Sequence, residues 1–465
     1  GMDSKTGTYR YTPEMSEKVH QMFWAYLEQE VYDRWDSELL DFVMQVCILD
    51  HFTIKMAEEL TGMQNVAMLV RKAGATGNFL IEKNGVYTFV PMMLVSMRQK
   101  LKTTYTKQRM DKLYYNAGRL YRKEKQMMKA LEMFQICGDE EQIGEILIEN
   151  VRVNPGTGYL FELRCYYLAL PESNIAESME LTAGMSMLQS LLLNTEQSEH
   201  WYQHLKQMEE TAQGVRKREI KGWLTFLDIS LPHRGSDGLL ELFKHVGTLL
   251  VNRQIALPEL CVTSNAPSLM NGGKDFCEWS KKDKTLADGM GKLVSMVLGR
   301  FGAGLVELAL AESFFEKGHD PYEVIRLASK GQIKAESQGN LQMEFAAIGM
   351  IVRTHIINGH ADDAKEILQK FIDKAEQAHA EKLLPNLYNL CTRVSLLQGE
   401  KAEIAAWMEQ KSPNEMDDFC PFERYRYMTK IRIYILYGKY ELAESLIEKM
   451  LYYAEVMHRT YIKME

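Results

Sequence analysis

The C-terminal part of the chain repeats a pattern of hydrophobic and polar positions in which a glycine separates two helix-like segments. In ILYGKYELAESLIEKM, residues 435–450, apolar residues recur three or four positions apart on both sides of the glycine. Equivalent glycines occur in three earlier copies, so that the series recurs at intervals of 41, 40 and 39 residues: Gly318, Gly359, Gly399 and Gly438. Because glycine enters the left-handed conformation without a steric penalty, each one is predicted to end a helix and open a turn into the next.

A period of about 40 residues with two helices per unit is typical of an α-solenoid. The G-x-Y-x-x-A segment at Gly438, Tyr440 and Ala443 resembles the tetratricopeptide repeat, although the usual period of that repeat is ~34 residues. Gly359 and Ala364 repeat the same five-residue offset. The alanine is predicted to lie where the second helix approaches the first closely. A generic helical bundle is the alternative architecture.

The first 105 residues do not repeat and carry a different pattern. Four segments with helical spacing come first, at residues 14–35, 36–49, 52–62 and 64–77. Two strand-like runs follow, NFLIEK and VYTFV, and the Asn84-Gly85 dipeptide between them is the strongest short signal for a β-hairpin. A leading helix, three further helices and a hairpin together predict a winged helix.

These patterns predict a mainly α fold, with an N-terminal winged helix followed by a tetratricopeptide-like α-solenoid, or superhelix. We expect a winged-helix-like domain with its leading helix over residues 1–105. A helical repeat domain is expected over residues 106–465. Turn residues interrupt the helical pattern near 214–300, where we expect irregular insertions in the array.

Composition narrows the classes of function. The formal net charge of −8 gives no overall positive field for nucleic acid, and the third winged-helix segment carries only Arg71 and Lys72. The winged helix is therefore predicted to be a packing module rather than a DNA reader. Seven cysteines without a C-x-x-C pair indicate a reduced interior. Without a run of ~18 apolar residues or an N-terminal apolar segment, we expect a cytoplasmic protein that does not contact a membrane.

Candidate chemical groups are few. His200 and His204 lie four positions apart on one predicted helix, but Trp201 occupies the place of the glutamate that a zincin motif requires. We therefore favour a solvated helix face over a metal site. Cys277 stands in a loop with no base that the sequence can place beside it. No catalytic set converges, so the chain is predicted not to be an enzyme and to bind no cofactor itself.

The order of these elements resembles the middle and sensor regions of the MalT-like regulators, the large ATP-binding transcription factors of LuxR type. Four stretches carry the resemblance: YLEQEVYDRWDSELLDFVMQVCILDHFTIKMAEELTG, NFLIEKNGVYTFVPMMLVSMRQKL, LYYNAGRLYRKEKQMMKALEMFQICGD and YMTKIRIYILYGKYELAESLIEKMLYYAEVMHRT. The sequence departs from the family pattern at Val90, where a histidine usually precedes the proline. The resemblance is loose between residues 155 and 300.

In the resembled family a P-loop ATP-binding domain precedes the winged helix, and a helix-turn-helix follows the superhelix. This chain contains no G-x-x-x-x-G-K-[ST] motif: around NGGKDFC, Ser268 replaces the first glycine and Asp275 follows Lys274. The resemblance thus implies that ATP would bind a missing N-terminal domain and that DNA would bind only through a missing C-terminal domain. A glycine before Met2 also indicates an expression remnant. We therefore expect a part of a longer protein.

The resemblance implies an effector- or partner-binding sensor region of a LuxR-type transcriptional regulator. In such a region, a small-molecule effector or a protein or peptide would occupy the superhelix groove and promote self-association. The alternative is a free-standing adaptor of tetratricopeptide type that binds peptides and has no link to transcription.

The repeat phase points to specific groove residues. An arginine lies six positions before each of the last three marker glycines: Arg353, Arg393 and Arg432. In the tetratricopeptide pattern this position faces the groove, so the three guanidiniums are candidate ligands for carboxylates, phosphates or an acidic peptide. The first copy has Glu312 at this position. An alternative hypothesis is therefore that each arginine pairs with a neighbouring glutamate or aspartate across repeats, as Arg353 would with Glu312.

Overall fold

The protein is described by a computed structural model that covers residues 22, 24–75, 79–153, 159–236, 238–258 and 262–465. Most of these residues are helical. The chain divides into two compact units, Gly1–Ile146 and Leu147–Glu465, which are described separately here.

The first unit has the elements of a winged helix. Helical residues 24–30 and a 3-10 turn at Tyr32–Arg34 lie within the predicted leading helix, whose earlier residues are outside the described part of the chain. The following elements are α1 Ser37–Val46, α2 Ile54–Thr61, α3 Val66–Ala75, β1 Leu80–Lys83, β2 Val86–Phe89 and α4 Pro91–Thr104.

Local chemistry explains where these elements begin and end. The Asp36 carboxylate caps α1 by accepting the Leu39 N–H at 2.8 Å, as short polar side chains do at helix N-termini. The strands pair antiparallel around a two-residue turn, in which Asn84 and Gly85 both have positive φ, 54° and 77°. The three helices predicted after the leading helix, the hairpin and its turn are confirmed.

Two more helices complete the packing of the first unit: α5 Lys107–Lys123 and α6 Met127–Cys137. They form a hairpin in which the Phe134 ring fills the space beside Gly118, where an added Cβ would lie 2.6 Å from that ring. Helix α7, Glu140–Val153, begins in the first unit and ends in the second. The domain boundary after residue 105 stays a prediction, because compact packing continues to Ile146.

The second unit is built of helices. Its first half contains α8 Tyr159–Glu162, α9 Arg164–Ala169, α10 Glu172–Glu177, α11 Met179–Leu191, α12 Thr195–Thr211, α13 Gly214–Ser230, α14 Leu239–Val251 and α15 Asp283–Leu298. Its second half contains α16 Leu305–Glu316, α17 Pro321–Ser337, α18 Leu341–Ile357, α19 Ala361–Gln377, α20 Leu384–Gln398, α21 Lys401–Gln410, α22 Arg424–Leu436, α23 Tyr440–Val456 and α24 Thr460–Met464.

The four marker glycines make one recurring turn. All have left-handed φ values, between 67° and 80°. After each glycine, the next residue donates its N–H to the carbonyl five positions earlier, which is the Schellman arrangement. The four bonds measure 2.8–2.9 Å: His319 to Phe314, His360 to His355, Glu400 to Ser395 and Lys439 to Tyr434. The turns join four helix pairs, α16–α17 through α22–α23, and confirm the predicted repeat.

Packing between the paired helices follows from the small residues. Ala364 and Ala443, at the same offset from their glycines, are 0% and 3% exposed. Ala364 belongs to a core cluster with Phe345 and Val352 of the partner helix α18. A bulky side chain at this position would force the paired helices apart.

The region expected to be irregular contains three regular helices, α13 to α15. Between α14 and α15, the described residues 252–258 and 262–276 are not helical, and a 3-10 helix follows at Cys277–Lys282. We call residues 262–276 the inserted segment. Pro267, the Gly272-Gly273 pair and the left-handed Ser264 and Asn265 exclude a helix there. Although it lacks regular structure, the segment is largely buried, with Thr263 1% and Asn271 3% exposed.

Candidate functional site: the arginine cavity

The three predicted groove arginines lie on the first helices of successive pairs: Arg353 on α18, Arg393 on α20 and Arg432 on α22. Arg353 and Arg393 line one cavity of about 530 Å³, which we call the arginine cavity. Arg432 is not among its lining residues, but it contacts the same carboxylate, Glu465, as Arg393 does.

The arginine cavity is lined by side chains from five α-helices, the inserted segment and the 3-10 helix that follows it, Cys277–Lys282. Its polar and aromatic lining consists of Ser268, Asn271, Cys277, Ser280, Glu312, Phe315, Glu316, Arg353, Arg393, Tyr425 and Tyr461. Burial raises the pKa of Tyr425 to about 12, so its hydroxyl stays protonated. The lining thus combines cationic, anionic and hydroxyl groups with aromatic faces.

Arg353 is held by two carboxylates of the preceding pair. Its guanidinium lies 3.4 Å from Glu312, contacts Glu316 and stacks 4.4 Å from the centre of the Phe315 ring. Burial by itself would lower the pKa of Arg353, but the neighbouring carboxylates raise it above its usual value. The side chain therefore remains a cation within the cavity wall.

Arg393 and Arg432 share one partner. Arg393 lies 3.0 Å from Glu465, and Arg432 reaches the same carboxylate oxygen. The expected pairing across repeats therefore describes Arg353, which meets carboxylates of the preceding helix pair. Arg393 and Arg432 instead pair with Glu465, which lies outside the repeat phase. A role in ligand binding stays a prediction. A ligand anion would have to take the place of Glu316 or Glu465.

The inserted segment forms part of the cavity wall and is fixed through its backbone. Glu312, only 4% exposed, accepts the N–H groups of Leu269 at 2.8 Å and Met270 at 3.0 Å. Arg424, 2% exposed, donates to the carbonyls of Asn271 at 2.9 Å and Gly272 at 2.7 Å. Charge-assisted bonds of this kind are the strongest ordinary hydrogen bonds in proteins.

Three further bonds extend this anchoring. Arg459 donates to the Gly273 carbonyl at 2.6 Å, and the Asn386 amide donates to the Asn265 carbonyl at 2.9 Å. The Asp275 carboxylate accepts the N–H of Thr460, in the first turn of α24. The inserted segment is thus bound by α16, α20, α22 and α24 as an extended peptide ligand would be.

Most of the side chains that bind the inserted segment could not be identified from the sequence. Glu312 was visible as the residue that breaks the arginine series, and its repeat phase places it correctly beside Arg353. Arg424 and Arg459 stand outside that phase, so nothing in the sequence distinguished them from solvated arginines. Their burial follows from a contact with residues more than 150 positions earlier.

Another polar cluster has the residue types of a catalytic triad. The His233 Nδ1 lies 2.8 Å from the Ser190 hydroxyl, and its Nε2 lies 2.9 Å from Glu199. Burial lowers the pKa of His233. Ser190, however, is 0% exposed, so no substrate reaches its hydroxyl in this conformation. The cluster joins α11, α12 and the turn after α13.

Within the part of the chain that the structure describes, one group could hold a metal ion. His355, His360 and Asp363 each place a ligand atom within 4.8 Å of the others. His200 and His204, for which the sequence favours a solvated helix face over a metal pair, do not belong to this group. The His204 imidazole lies 3.1 Å from the Ala176 carbonyl. The Cys277 thiol has a pKa raised to about 12 by burial and by Asp275, so it is a poor nucleophile.

No helix in the described ranges is both long and apolar enough to cross a membrane.

Comparisons with known proteins agree with this architecture. Residues 28–109 match the MalT winged helix domain family. The HTH-type transcriptional regulator MalT of Vibrio parahaemolyticus is 27% identical over 211 residues, which cover 44% of this chain and 22% of the relative. The values for MalT of Vibrio campbellii are the same, and MalT of Vibrio cholerae is 33% identical over 66 residues, 14% of this chain and 7% of the relative. The chain therefore matches less than a quarter of each relative.

A solved structure is also similar to the chain. It is the signal transduction ATPase with numerous domains that carries a tetratricopeptide repeat sensor, from Pyrococcus horikoshii, with a TM-score of 0.39 and 13% sequence identity. The alignment covers 96% of this chain and 66% of that one. The family model and the Vibrio relatives confirm the resemblance to MalT-like regulators.

Proposed function

We propose that this MalT-like chain is the effector-sensing region of a larger LuxR-type transcriptional regulator. The observation that carries the proposal is the arginine cavity, because residues from four successive helix pairs and from α24 line one space. A molecule bound there would contact several repeats at once. Its binding energy would therefore act on their relative arrangement.

The volume of the cavity favours a small molecule over an extended partner. Small-molecule sites commonly measure roughly 300–1,000 Å³, and this cavity measures about 530 Å³. The inserted segment already occupies the positions at which an extended peptide would meet Glu312 and Arg424. This arrangement argues against the free-standing peptide adaptor.

The charges of the lining favour an effector with a carboxylate or phosphate group. Such a group would pair with Arg353 or Arg393 in place of Glu316 or Glu465, while Tyr425 and Tyr461 would supply hydroxyl contacts. Exchanging one carboxylate for another keeps each guanidinium paired. At Arg393 the exchange would release Glu465, at the end of α24, from this arginine and so change the C-terminal surface.

In the proposed regulator this change would promote self-association. ATP binding and DNA recognition would be functions of other domains. Allosteric coupling of this kind typically amounts to ~1–3 kcal/mol, which is enough to shift a monomer–oligomer equilibrium measurably.

The proposal is tested by screening anionic and neutral metabolites for binding to the chain by calorimetry, with light scattering to follow its mass. We expect at least one phosphorylated or carboxylated compound to bind and to increase self-association. Arg393→Gln should weaken that binding at least tenfold, whereas Arg326→Gln, in an exposed pair on α17, should not. Binding that is unaffected by Arg393→Gln would refute the arginine cavity as the site.

A further inference from the structure

A second, smaller cavity borders the inserted segment, and most of its lining is apolar, with Ser230 and Ser264 as uncharged polar residues. It measures about 100 Å³, and we call it the lysine cavity. Its walls come from α11, α13, α14, α15, α16 and the inserted segment, and they include Met187, Phe243, Phe276, Trp279 and Leu305. Aromatic and aliphatic walls of this kind bind a hydrocarbon group rather than a sugar, because a sugar would lose hydrogen bonds to water there.

One charged side chain lines this cavity. Lys274 is 3% exposed, and among the residues that the structure describes its Nζ makes a single hydrogen bond, a long one of 3.4 Å to the Asp228 carbonyl. The Asp228 carboxylate is already occupied by Arg234 at 2.6 Å and Tyr202 at 2.8 Å. Among the described residues, no carboxylate lies within 4.0 Å of the Lys274 ammonium.

An ammonium in this position lacks a counter-charge. Burial, together with the nearby Arg234 and Arg459, lowers the pKa of Lys274 to about 7 against the opposing effect of Asp228. A buried charge is tolerated when it is paired and hydrogen-bonded, and is costly otherwise. An anionic group entering the cavity would provide the missing pair.

We propose that the lysine cavity binds a small apolar monocarboxylic acid, with its hydrocarbon group against Phe243 and Trp279 and its carboxylate at Lys274 Nζ. An apolar cavity of roughly 150 Å³ holds the carbon ring of benzene, so this cavity of about 100 Å³ holds a hydrocarbon group of about four carbon atoms. A phosphate ester is disfavoured, because a dianion would require more than one cation and its hydration shell has no room. This site is separate from the arginine cavity.

Two ligands that differ only in charge test the proposal on the full chain. We expect 3-methylbutanoate to bind at least tenfold more tightly than 3-methylbutan-1-ol in calorimetric titrations near pH 6.5. Acetate, which has the charge without the hydrocarbon group, should bind more weakly than 3-methylbutanoate. Equal affinity for the acid and the alcohol would overturn the proposal.

Two variants locate the site. Lys274→Met keeps the side-chain volume but removes the charge, so it should abolish the preference for the acid. The control Lys370→Met, which breaks an exposed ion pair with Glu366 on α19, should retain the preference for the acid over the alcohol. Ala309→Leu, which fills the cavity and keeps Lys274, should weaken binding of both compounds at least tenfold. Unchanged binding in Ala309→Leu would place the ligand elsewhere and would also overturn the proposal, whatever effector the arginine cavity binds.

Discussion

The carboxylate of Glu312 accepts the backbone N–H of Leu269 at 2.8 Å, across 43 positions of the chain. The same carboxylate accepts the Met270 N–H and lies 3.4 Å from Arg353. One buried acid therefore joins the inserted segment to the first arginine of the series. Glu312 is thus one of the anchors of the segment, together with Arg424 and Arg459, and it also contributes to the charge balance of the arginine cavity.

Glu312→Gln is expected to destabilise the second unit. The amide keeps the size of the side chain but removes the negative charge that pairs with Arg353 and strengthens two backbone bonds. Breaking one partner of a buried ionic network typically costs ~2–4 kcal/mol. Urea unfolding should show this loss, and hydrogen exchange should show faster exchange of the Leu269 and Met270 amides.

The control for this variant is Glu323→Gln. Glu323 forms an exposed pair with Arg326 at 3.4 Å, and such pairs contribute about 0–1 kcal/mol. Equal stability of the two variants, with the segment amides still protected, would contradict the anchoring role of Glu312.

Gly349→Ala tests the packing of the inserted segment against α18. A Cβ at this position would lie 2.4 Å from the Pro267 carbonyl oxygen and 2.7 Å from the Pro267 Cβ. Alanine gains ~1 kcal/mol in helix propensity over glycine, but the backbone of the segment must move to make room. We expect a net loss of ~1–3 kcal/mol, as for other overpacked sites.

A matched substitution separates propensity from packing. Gly289 lies within α15 and has no heavy atom within 4 Å of its hypothetical Cβ. Gly289→Ala should therefore stabilise the protein by ~0.5–1 kcal/mol in thermal or urea unfolding. Stabilisation of similar size by Gly349→Ala would show that the segment does not pack on α18 in solution.

The sequence predicted those parts of the fold that short-range rules determine. Gly318, Gly359, Gly399 and Gly438 mark the turns because a left-handed helix end requires a residue without a Cβ. Asn84-Gly85 marks the hairpin for a similar reason. The shared repeat phase also explains why Arg353 and Arg393 line one cavity.

The inserted segment could not be placed from the sequence. Its contacts with Arg424 and Arg459 join residues more than 150 positions apart and do not follow the repeat. Lys274 stood out only as a residue in an incomplete P-loop motif, whereas the structure places it beside an apolar cavity. The sharing of Glu465 by two arginines was equally hidden, because α24 lies outside the repeat phase.

The stability of the protein should depend on Lys274 in a pH-dependent way. Its pKa is lowered to about 7 in the folded chain, whereas an unfolded lysine titrates near 10.4. Between these values the unfolded state binds more protons, so the free energy of unfolding rises with pH. The full free-energy cost of burying the Lys274 ammonium is present below about pH 7, and it disappears above about pH 10.

Lys274→Met lacks this titration and should be more stable than the unsubstituted chain by ~2–4 kcal/mol at pH 6. The difference should narrow steadily in urea unfolding at pH 8 and 9.5. Asp228, Arg234 and Arg459 face the same site and are present in both proteins, so they cancel in the comparison. A difference independent of pH would show that Lys274 is solvated or paired in solution.

Charge reversal at Arg393 tests the arginine cavity with little disturbance of the fold. The Arg393 side chain is 24% exposed and lies 3.0 Å from Glu465, and that carboxylate keeps Arg432 as a second partner. Because the pair is partly buried, Arg393→Glu should cost about 0.5–3 kcal/mol in urea unfolding, as most single substitutions do. The new carboxylate would face Glu465 and would repel a carboxylated or phosphorylated effector, so we expect at least a tenfold loss of affinity in calorimetry.

Arg326→Glu, outside the cavity, provides the matched charge change and should bind the effector normally. Equal affinities of the two variants would mean that the arginine at this repeat position only pairs within the chain.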